Sequence, residues 1–198
     1  MYLNQFSVRI PEGREANGYV EVQHNTQYTL RLRNSRDAPC DARVEVDGKH
    51  VGTWRIRARE SLQIERPAHD TGRFTFYRLG SSQAKQAYLY EDNPDMGLVK
   101  VTFTPEKKRV VSDSWTYCSK GVQEEYTSAW RGAVPGASSG YEAGGTGLSG
   151  ESNQRFHNVA TLDYDYSQQT VIHLRLVCKN GDPRPLTAYS TPVPPSVR

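Results

Sequence analysis

The chain of 198 residues has 36% hydrophobic residues, a mean hydropathy of −0.73 and a formal net charge of +3 at pH 7. This length predicts one domain, or one domain with a long appendage, and the weak, interleaved charge argues against nucleic acid as a partner. No apolar run reaches the roughly 18 residues that a membrane-spanning helix needs, and residues 1–6 lack the basic and apolar regions of a secretory signal peptide.

Short alternating segments fill the first half of the chain. Leu30 and Leu32, for example, alternate with Arg31 and Arg33, which is the period of a strand with one buried and one solvated face. Residues 82–91 fit either a strand or a short helix. Similar patterns, bounded by Pro and Gly, predict strands at residues 2–10, 18–22, 28–33, 42–46, 49–56, 61–66, 73–77 and 99–104.

The strongest local signal is the pair Asp47–Gly48, which separates two β-patterned runs. A two-residue connection of this kind needs a positive φ at both positions, which Asp tolerates and Gly prefers. The sequence therefore predicts a β-hairpin with a type I′ turn at this point.

A glycine-rich stretch follows residue 111, and residues 132–150 contain seven of the sixteen glycines. Because glycines contribute no side chain, this stretch can bury little apolar surface. The sequence therefore predicts a long loop or arm over residues 112–158, with a short helix over residues 120–131. Its aromatic side chains offer a large contact area at low entropic cost, which is typical of interfaces. The candidate interface or ligand-contact residues are Trp115, Tyr117, Tyr126, Trp130 and Tyr141.

Regular β-patterning returns near the C-terminal end. Residues 158–164 and 170–177 predict two strands that form a hairpin, and the proline-rich tail predicts an extended arm. The predicted organisation is a main set of sandwich strands, a loop or arm, strands that complete the sandwich and a tail, at residues 1–111, 112–158, 159–182 and 183–198.

Catalytic and metal-binding patterns are weak throughout. No histidine has a second histidine two or four residues away, and Cys40, Cys118 and Cys178 share no short spacing, so free buried thiols are expected. His69–Asp70 suggests acid–base chemistry, but a solvated turn after Pro67 is the preferred interpretation. The sequence predicts no catalytic residue, no metal site and no cofactor, and hence a protein that is not an enzyme.

Two sequence blocks resemble a known group of proteins. The first block contains DARVEVDG, VGTWRI, IERP and RFTF within residues 41–76, and the second is GTGLSGESNQRF at residues 145–156. Together they resemble a little-characterised group of β-sandwich proteins encoded by bacteria and by large DNA viruses of protists. The resemblance spans about half of the chain and includes no known catalytic residues. It implies a structural or surface role.

These observations predict an all-β fold, an antiparallel β-sandwich of jelly-roll type with long loops. Edge strands with unpaired backbone groups favour a non-enzymatic structural protein that self-assembles, alone or with other structural subunits, into a virion, filament or surface layer. The alternative is a carbohydrate-binding or adhesion module in which Trp115, Trp130 and Tyr141 stack on sugar rings. Both hypotheses favour a location on a virion or cell surface.

Overall fold

The computed structural model describes residues 1–90, 92–107 and 141–179, and nearly all regular structure in this part is antiparallel β-strand. The prediction of an all-β fold is confirmed. The one α-helix among these residues is α1 (Ser82–Gln86), and a short 3-10 helix covers Tyr166–Gln168. The strands are β1 (Tyr2–Leu3), β2 (Phe6–Arg9), β3 (Arg14–Ala16), β4 (Tyr19–Glu21), β5 (Thr26–Gln27), β6 (Leu30–Asn34), β7 (Cys40–Val46), β8 (Lys49–Ile56), β9 (Ser61–Ile64), β10 (Arg73–Arg78), β11 (Leu98–Pro105), β12 (Tyr141–Ser149) and β13 (Thr170–Lys179).

The described strands form two sheets. The smaller sheet has the order β1-β2-β6-β9, and the larger follows the path β5-β10-β12-β13-β11-β7-β8. Off this path, β4 pairs with β13 in parallel and β3 pairs with β4. All other pairings between these strands are antiparallel, so short turns suffice for many of the connections.

The two sheets share one apolar core. Phe6 on β2 of the smaller sheet stacks on Phe103 on β11 of the larger sheet, with ring centroids 4.6 Å apart. Leu30 and Leu32 are fully buried, and the intervening Arg31 is exposed, as the alternation predicts. Removal of these inward faces from water is the main driving force for bringing the sheets together.

Tight turns with positive φ connect several strands. Asp47 and Gly48 have φ values of 52° and 77°, which confirms the predicted type I′ hairpin between β7 and β8. The single strand predicted at residues 2–10 is instead a hairpin, because Asn4 and Gln5, with φ values of 49° and 67°, turn the chain between β1 and β2. The apolar alternation runs through this turn, so periodicity alone does not reveal it.

The prediction of a loop or arm over residues 112–158 is wrong for the nine residues of β12, which form a strand. It pairs with β10 and β13 along its length. A Cβ atom at Gly144 would lie 2.1 Å from Cζ of Phe76, and one at Gly145 would lie 2.2 Å from Sδ of Met96. The glycines are therefore places where large side chains from neighbouring segments lie directly on the strand backbone. The apolar surface that the segment lacks comes from those neighbours.

Residues 150–165, here called the strap, also differ from the prediction. The strand expected at residues 158–164 is absent, and one isolated bridge joins Tyr164 to Glu106. The predicted hairpin with residues 170–177 does not form, since β13 pairs with β11, β12 and β4 instead.

Side chains from distant parts of the chain fix the strap. Nη2 of Arg66 donates to the carbonyl of Gln154 at 2.6 Å, and the guanidinium carbon of Arg66 lies 4.4 Å from the ring centroid of Phe156. Phe156 in turn contacts Trp54 edge to face at 5.5 Å between centroids. The strap is thus ordered by long-range contacts rather than by a ladder of backbone hydrogen bonds, which explains why it shows no strand periodicity.

Several predictions concern residues outside the described ranges. These are the helix at residues 120–131, the proline-rich tail at residues 183–198 and the state of Cys118. Cys40 and Cys178 are both buried, as predicted, and burial raises the pKa of the Cys40 thiol to about 12. In the part of the chain that the structure describes, no helix is long and apolar enough to cross a membrane.

Candidate functional site

A groove of about 730 Å³ opens where four segments of the larger sheet meet. Its walls are the β7–β8 turn, residues 67–70 before β10, residues 87–90 and 92–96 before β11, and the second half of β12. This site is called the tyrosine groove below. Its volume lies within the range of about 300–1,000 Å³ that is typical of small-molecule sites.

Two exposed tyrosines line the groove. Tyr88 is 73% exposed and Tyr90 is 58% exposed, whereas Leu89 between them is buried, with only 8% of its surface exposed. Leu148 from β12 lines the same groove and is 40% exposed. Apolar side chains gathered at one concave place, with no packing role to explain them, are characteristic of a binding surface.

The end of α1 determines where Tyr88 lies. The Tyr88 N–H donates to the carbonyl of Lys85 at 3.2 Å, and the Leu89 N–H donates to the carbonyl of Ala84 at 3.0 Å. These two bonds form a Schellman motif, in which the residue at the Tyr88 position is left-handed and is usually glycine. Tyr88 has a φ of 54°, so its backbone is strained without any gain from burial of its ring.

The strain at Tyr88 yields a prediction about stability. Tyr88→Gly should raise the free energy of unfolding by about 1 kcal/mol, because glycine adopts this φ without a Cβ penalty. Tyr90 does not have a positive φ, so Tyr90→Gly should lower stability and serves as the matched control. Urea denaturation measures both values, and a Tyr88→Gly variant less stable than wild type would contradict this account of the turn.

Polar side chains share the groove with the tyrosines. Asp70 accepts a hydrogen bond from the Gly72 N–H at 2.7 Å, and His50 Nε2 lies 3.2 Å from Oγ1 of Thr53. By contrast, the side chains of His69 and Asp92 make no hydrogen bond to any other residue that the structure describes, and both line the groove. Their imidazole and carboxylate groups are available to a ligand as donors and acceptors.

Buried charged groups hold the wall formed by residues 87–90 and 92–96. The Asp47 carboxylate accepts from the N–H groups of Gly97 at 2.6 Å and Thr146 at 2.7 Å, so it joins this wall to β12. Arg175 is 2% exposed and donates to the carbonyl of Pro94 at 3.1 Å and also to that of Met96. These bonds pre-organise the groove and lower the entropy that a ligand would otherwise have to remove.

The electrostatics of Asp47 follow from its burial. Asp47 is 5% exposed, and desolvation raises the pKa of its carboxyl group from 3.8 to about 6. The two backbone N–H groups, and then the charges of Lys49 and Arg175, lower the pKa and offset part of this effect. The burial of Arg175 lowers the pKa of its guanidinium to about 10.

Of the five aromatic residues predicted as contacts, Tyr141 is the one that the structure describes. Trp115, Tyr117, Tyr126 and Trp130 lie outside the described residues. Tyr141 begins β12, is half-buried and pairs with Lys179, away from the groove lining.

Sequence reasoning did not identify the groove tyrosines. Tyr88 and Tyr90 lie in the segment that fits either a strand or a helix, and their spacing about Leu89 has no single interpretation. His69 and Asp70, whose pairing in the sequence suggests acid–base chemistry, both line the groove. The signal in the sequence is two tyrosines that flank one leucine, followed by three acidic residues and an asparagine within residues 91–95.

The described ranges contain no cluster of three or more His, Cys, Asp or Glu side chains that could hold a metal ion. Comparisons of the chain with protein-family models, with curated proteins and with solved structures find no match, so the resemblance to β-sandwich proteins of bacteria and protist viruses rests on its two sequence blocks alone.

Proposed function

We propose that this chain is a non-enzymatic carbohydrate-binding protein and that the tyrosine groove holds a segment of an oligosaccharide. The observation that carries the proposal is the combination of two exposed tyrosines with free polar side chains in one groove. A sugar ring has an apolar C–H face and a rim of hydroxyl groups. A tyrosine ring suits the face, and carboxylate and imidazole groups suit the hydroxyls.

The energetics of Tyr88 favour a binding role over a structural one. A left-handed backbone costs about 1–2 kcal/mol at a residue other than glycine, and a ring that is 73% exposed recovers little of it in the free protein. Contact with a sugar ring would bury that aromatic surface. Strained residues of this kind concentrate at ligand sites, where binding offsets their cost.

A direct test is a glycan array of neutral and acidic oligosaccharides, followed by calorimetric titration with the glycans that bind. We expect wild type to bind at least one class, and Tyr90→Ala to weaken that binding by about tenfold or more, which corresponds to about 1.4 kcal/mol. Tyr166→Ala is the matched control, because Tyr166 is 70% exposed and lies outside the groove. An array without binding, or equal losses in the two variants, would reject the proposal.

The second candidate is self-assembly of a jelly-roll-type sandwich into a virion, filament or surface layer. The observation in its favour is edge strand β1, where Tyr2 is 64% and Leu3 is 45% exposed. Light scattering on wild type and on a Tyr2→Ser, Leu3→Ser variant tests it. Large particles that dissociate in the variant would support assembly, whereas a monomer in both would reject it.

The longer edge strands give assembly less support. The Ala68 N–H donates to the carbonyl of Val51 on β8 at 2.8 Å, and Nε2 of Gln154 in the strap donates to the carbonyl of Gln63 on β9 at 2.6 Å. Both edges therefore already have hydrogen-bond partners within the chain. For this reason, we place carbohydrate binding first.

A further inference from the structure

The outer face of the smaller sheet carries a cluster of arginines. Arg9 on β2 lies directly opposite Arg31 on β6, and Arg33 lies two residues further along β6 on the same face. All three residues are exposed, and they line a shallow hollow of about 920 Å³. We call this surface the arginine face. It lies on a different sheet from the tyrosine groove.

Nearby carboxylates do not neutralise the arginine face. Among the described residues, no carboxylate lies within salt-bridge distance of Arg9, Arg31 or Arg33. The carboxylate of Glu15, at the border of the hollow, lies 2.6 Å from the amino nitrogen of Met1. The guanidinium of Arg33 donates to Oγ of Ser35 at 3.2 Å, which orients it and leaves its charge uncompensated.

This arrangement opposes folding. Like charges directly opposite each other in an antiparallel pair destabilise the sheet, and Arg9 and Arg31 form such a pair. The buried neighbours Val8 and Leu32 contribute to the core, whereas the like charges of Arg9 and Arg31 on the solvent side repel each other. A ligand that brings several negative charges would reverse the sign of this interaction.

The remaining groups of the face indicate which anion it fits. Ser7 lies opposite Arg33, and Ser61 on β9 lies opposite Arg33 on the other side, so one row across the three strands places a guanidinium between two hydroxyls. Side chains on one strand face repeat at about 7 Å, and neighbouring strands are about 5 Å apart, so the charges form a grid rather than a single pocket. Each guanidinium can donate two parallel hydrogen bonds to an oxyanion, so a surface with several of them, together with hydroxyls, suits an extended polymer with repeated oxyanions.

We propose that the arginine face binds a sulfated polysaccharide. Single-stranded nucleic acid also carries repeated anions, but proteins that bind it add aromatic platforms for base stacking. Tyr2 is the one aromatic side chain among the residues that line this hollow. The charge and hydroxyl pattern is therefore matched to a sulfated sugar chain better than to bases.

The test uses the full chain and a fluorescent heparin dodecasaccharide, titrated at several salt concentrations. Arg9→Gln combined with Arg31→Gln should weaken binding by about tenfold or more at low salt, and should reduce the slope of log K against log salt by about two. Arg57→Gln combined with Arg155→Gln removes the same charge from exposed positions outside the face and should have a much smaller effect.

Thermal unfolding separates loss of binding from loss of fold. The Arg9→Gln, Arg31→Gln variant should melt no lower than wild type, because it relieves a like-charge contact. Equal losses in the two double variants, or no binding of heparin by wild type, would overturn the proposal. Tighter binding of an oligodeoxythymidine of equal charge would also overturn it, by assigning the face to nucleic acid. A loss of glycan binding at Tyr90→Ala does not bear on this face, so the two proposals fail separately.

Discussion

Gly144→Ala is expected to lower the free energy of unfolding by about 3 kcal/mol, at the upper end of the usual cost of overpacking a core. The added Cβ atom would lie 2.1 Å from Cζ of Phe76 and 2.8 Å from the carbonyl oxygen of Tyr77. Phe76 is fully buried, and the close packing of a protein core leaves few voids for a displaced ring. Either the Phe76 ring or strand β12 must therefore shift, and both lie in the middle of the larger sheet.

Two further variants make this test specific. Gly80→Ala introduces the same methyl group where nothing lies within 4 Å, so it should cost only the penalty of its φ of 80°, about 1–2 kcal/mol. Phe76→Leu should rescue part of the Gly144→Ala loss in a double-mutant cycle, since it shortens the side chain in question. If Gly144→Ala unfolds no more easily than Gly80→Ala in urea, β12 does not pack against β10 as described.

The second large effect concerns pH and Asp47. Because burial raises the folded-state pKa to about 6 from 3.8, folding takes up a proton between these two pH values. The contribution of Asp47 to stability is therefore fully present below about pH 4 and is lost as the pH rises through about 6. The difference amounts to as much as about 3 kcal/mol for this shift.

The measurement compares wild type with Asp47→Asn, which has no titrating group at this position. The unfolding free energy of wild type, relative to the variant, should increase as the pH is lowered from about 7 to about 4. Arg175, with a pKa of about 10, keeps its charge throughout this range, so it does not produce the slope. A relative stability that is constant, or that falls with decreasing pH, would show that the two N–H donors outweigh burial.

Local patterns predict those parts of the fold that local physics determines. The alternation of Leu30 and Leu32 with arginines predicts the position and facing of β6, and Asp47–Gly48 predicts the hairpin because few residues tolerate positive φ. Strand β12 cannot be predicted from local patterns in this way. Its own side chains are too small to show a period, and the apolar surface against it belongs to Phe76, Tyr77 and Met96 elsewhere in the chain.

The strap and the tyrosine groove cannot be predicted from local patterns either, because both depend on contacts between distant segments. Gln154 is held by Arg66, which is 88 residues away in sequence, and Ala160 by Arg55, which is 105 residues away. The groove combines four separate segments, and the position of Tyr88 depends on how α1 ends rather than on any period. The arginine face can be predicted from the sequence only in part. The alternation along β6 predicts that Arg31 and Arg33 lie on the solvent side. Their position beside Arg9 depends on the pairing of β2 with β6, which the sequence does not reveal.

The central claim is that carbohydrate binds in the tyrosine groove, and mapping of amide chemical shifts tests it most directly. The labelled chain would be titrated with hexasaccharides of glucose, N-acetylglucosamine, mannose, galactose and xylose. We predict that one of them shifts the amide resonances of residues 87–93, 48–50 and 146–148, and that Tyr90→Ala abolishes these shifts. Shifts confined to other parts of the chain, or no shifts with any of these sugars, would contradict the account.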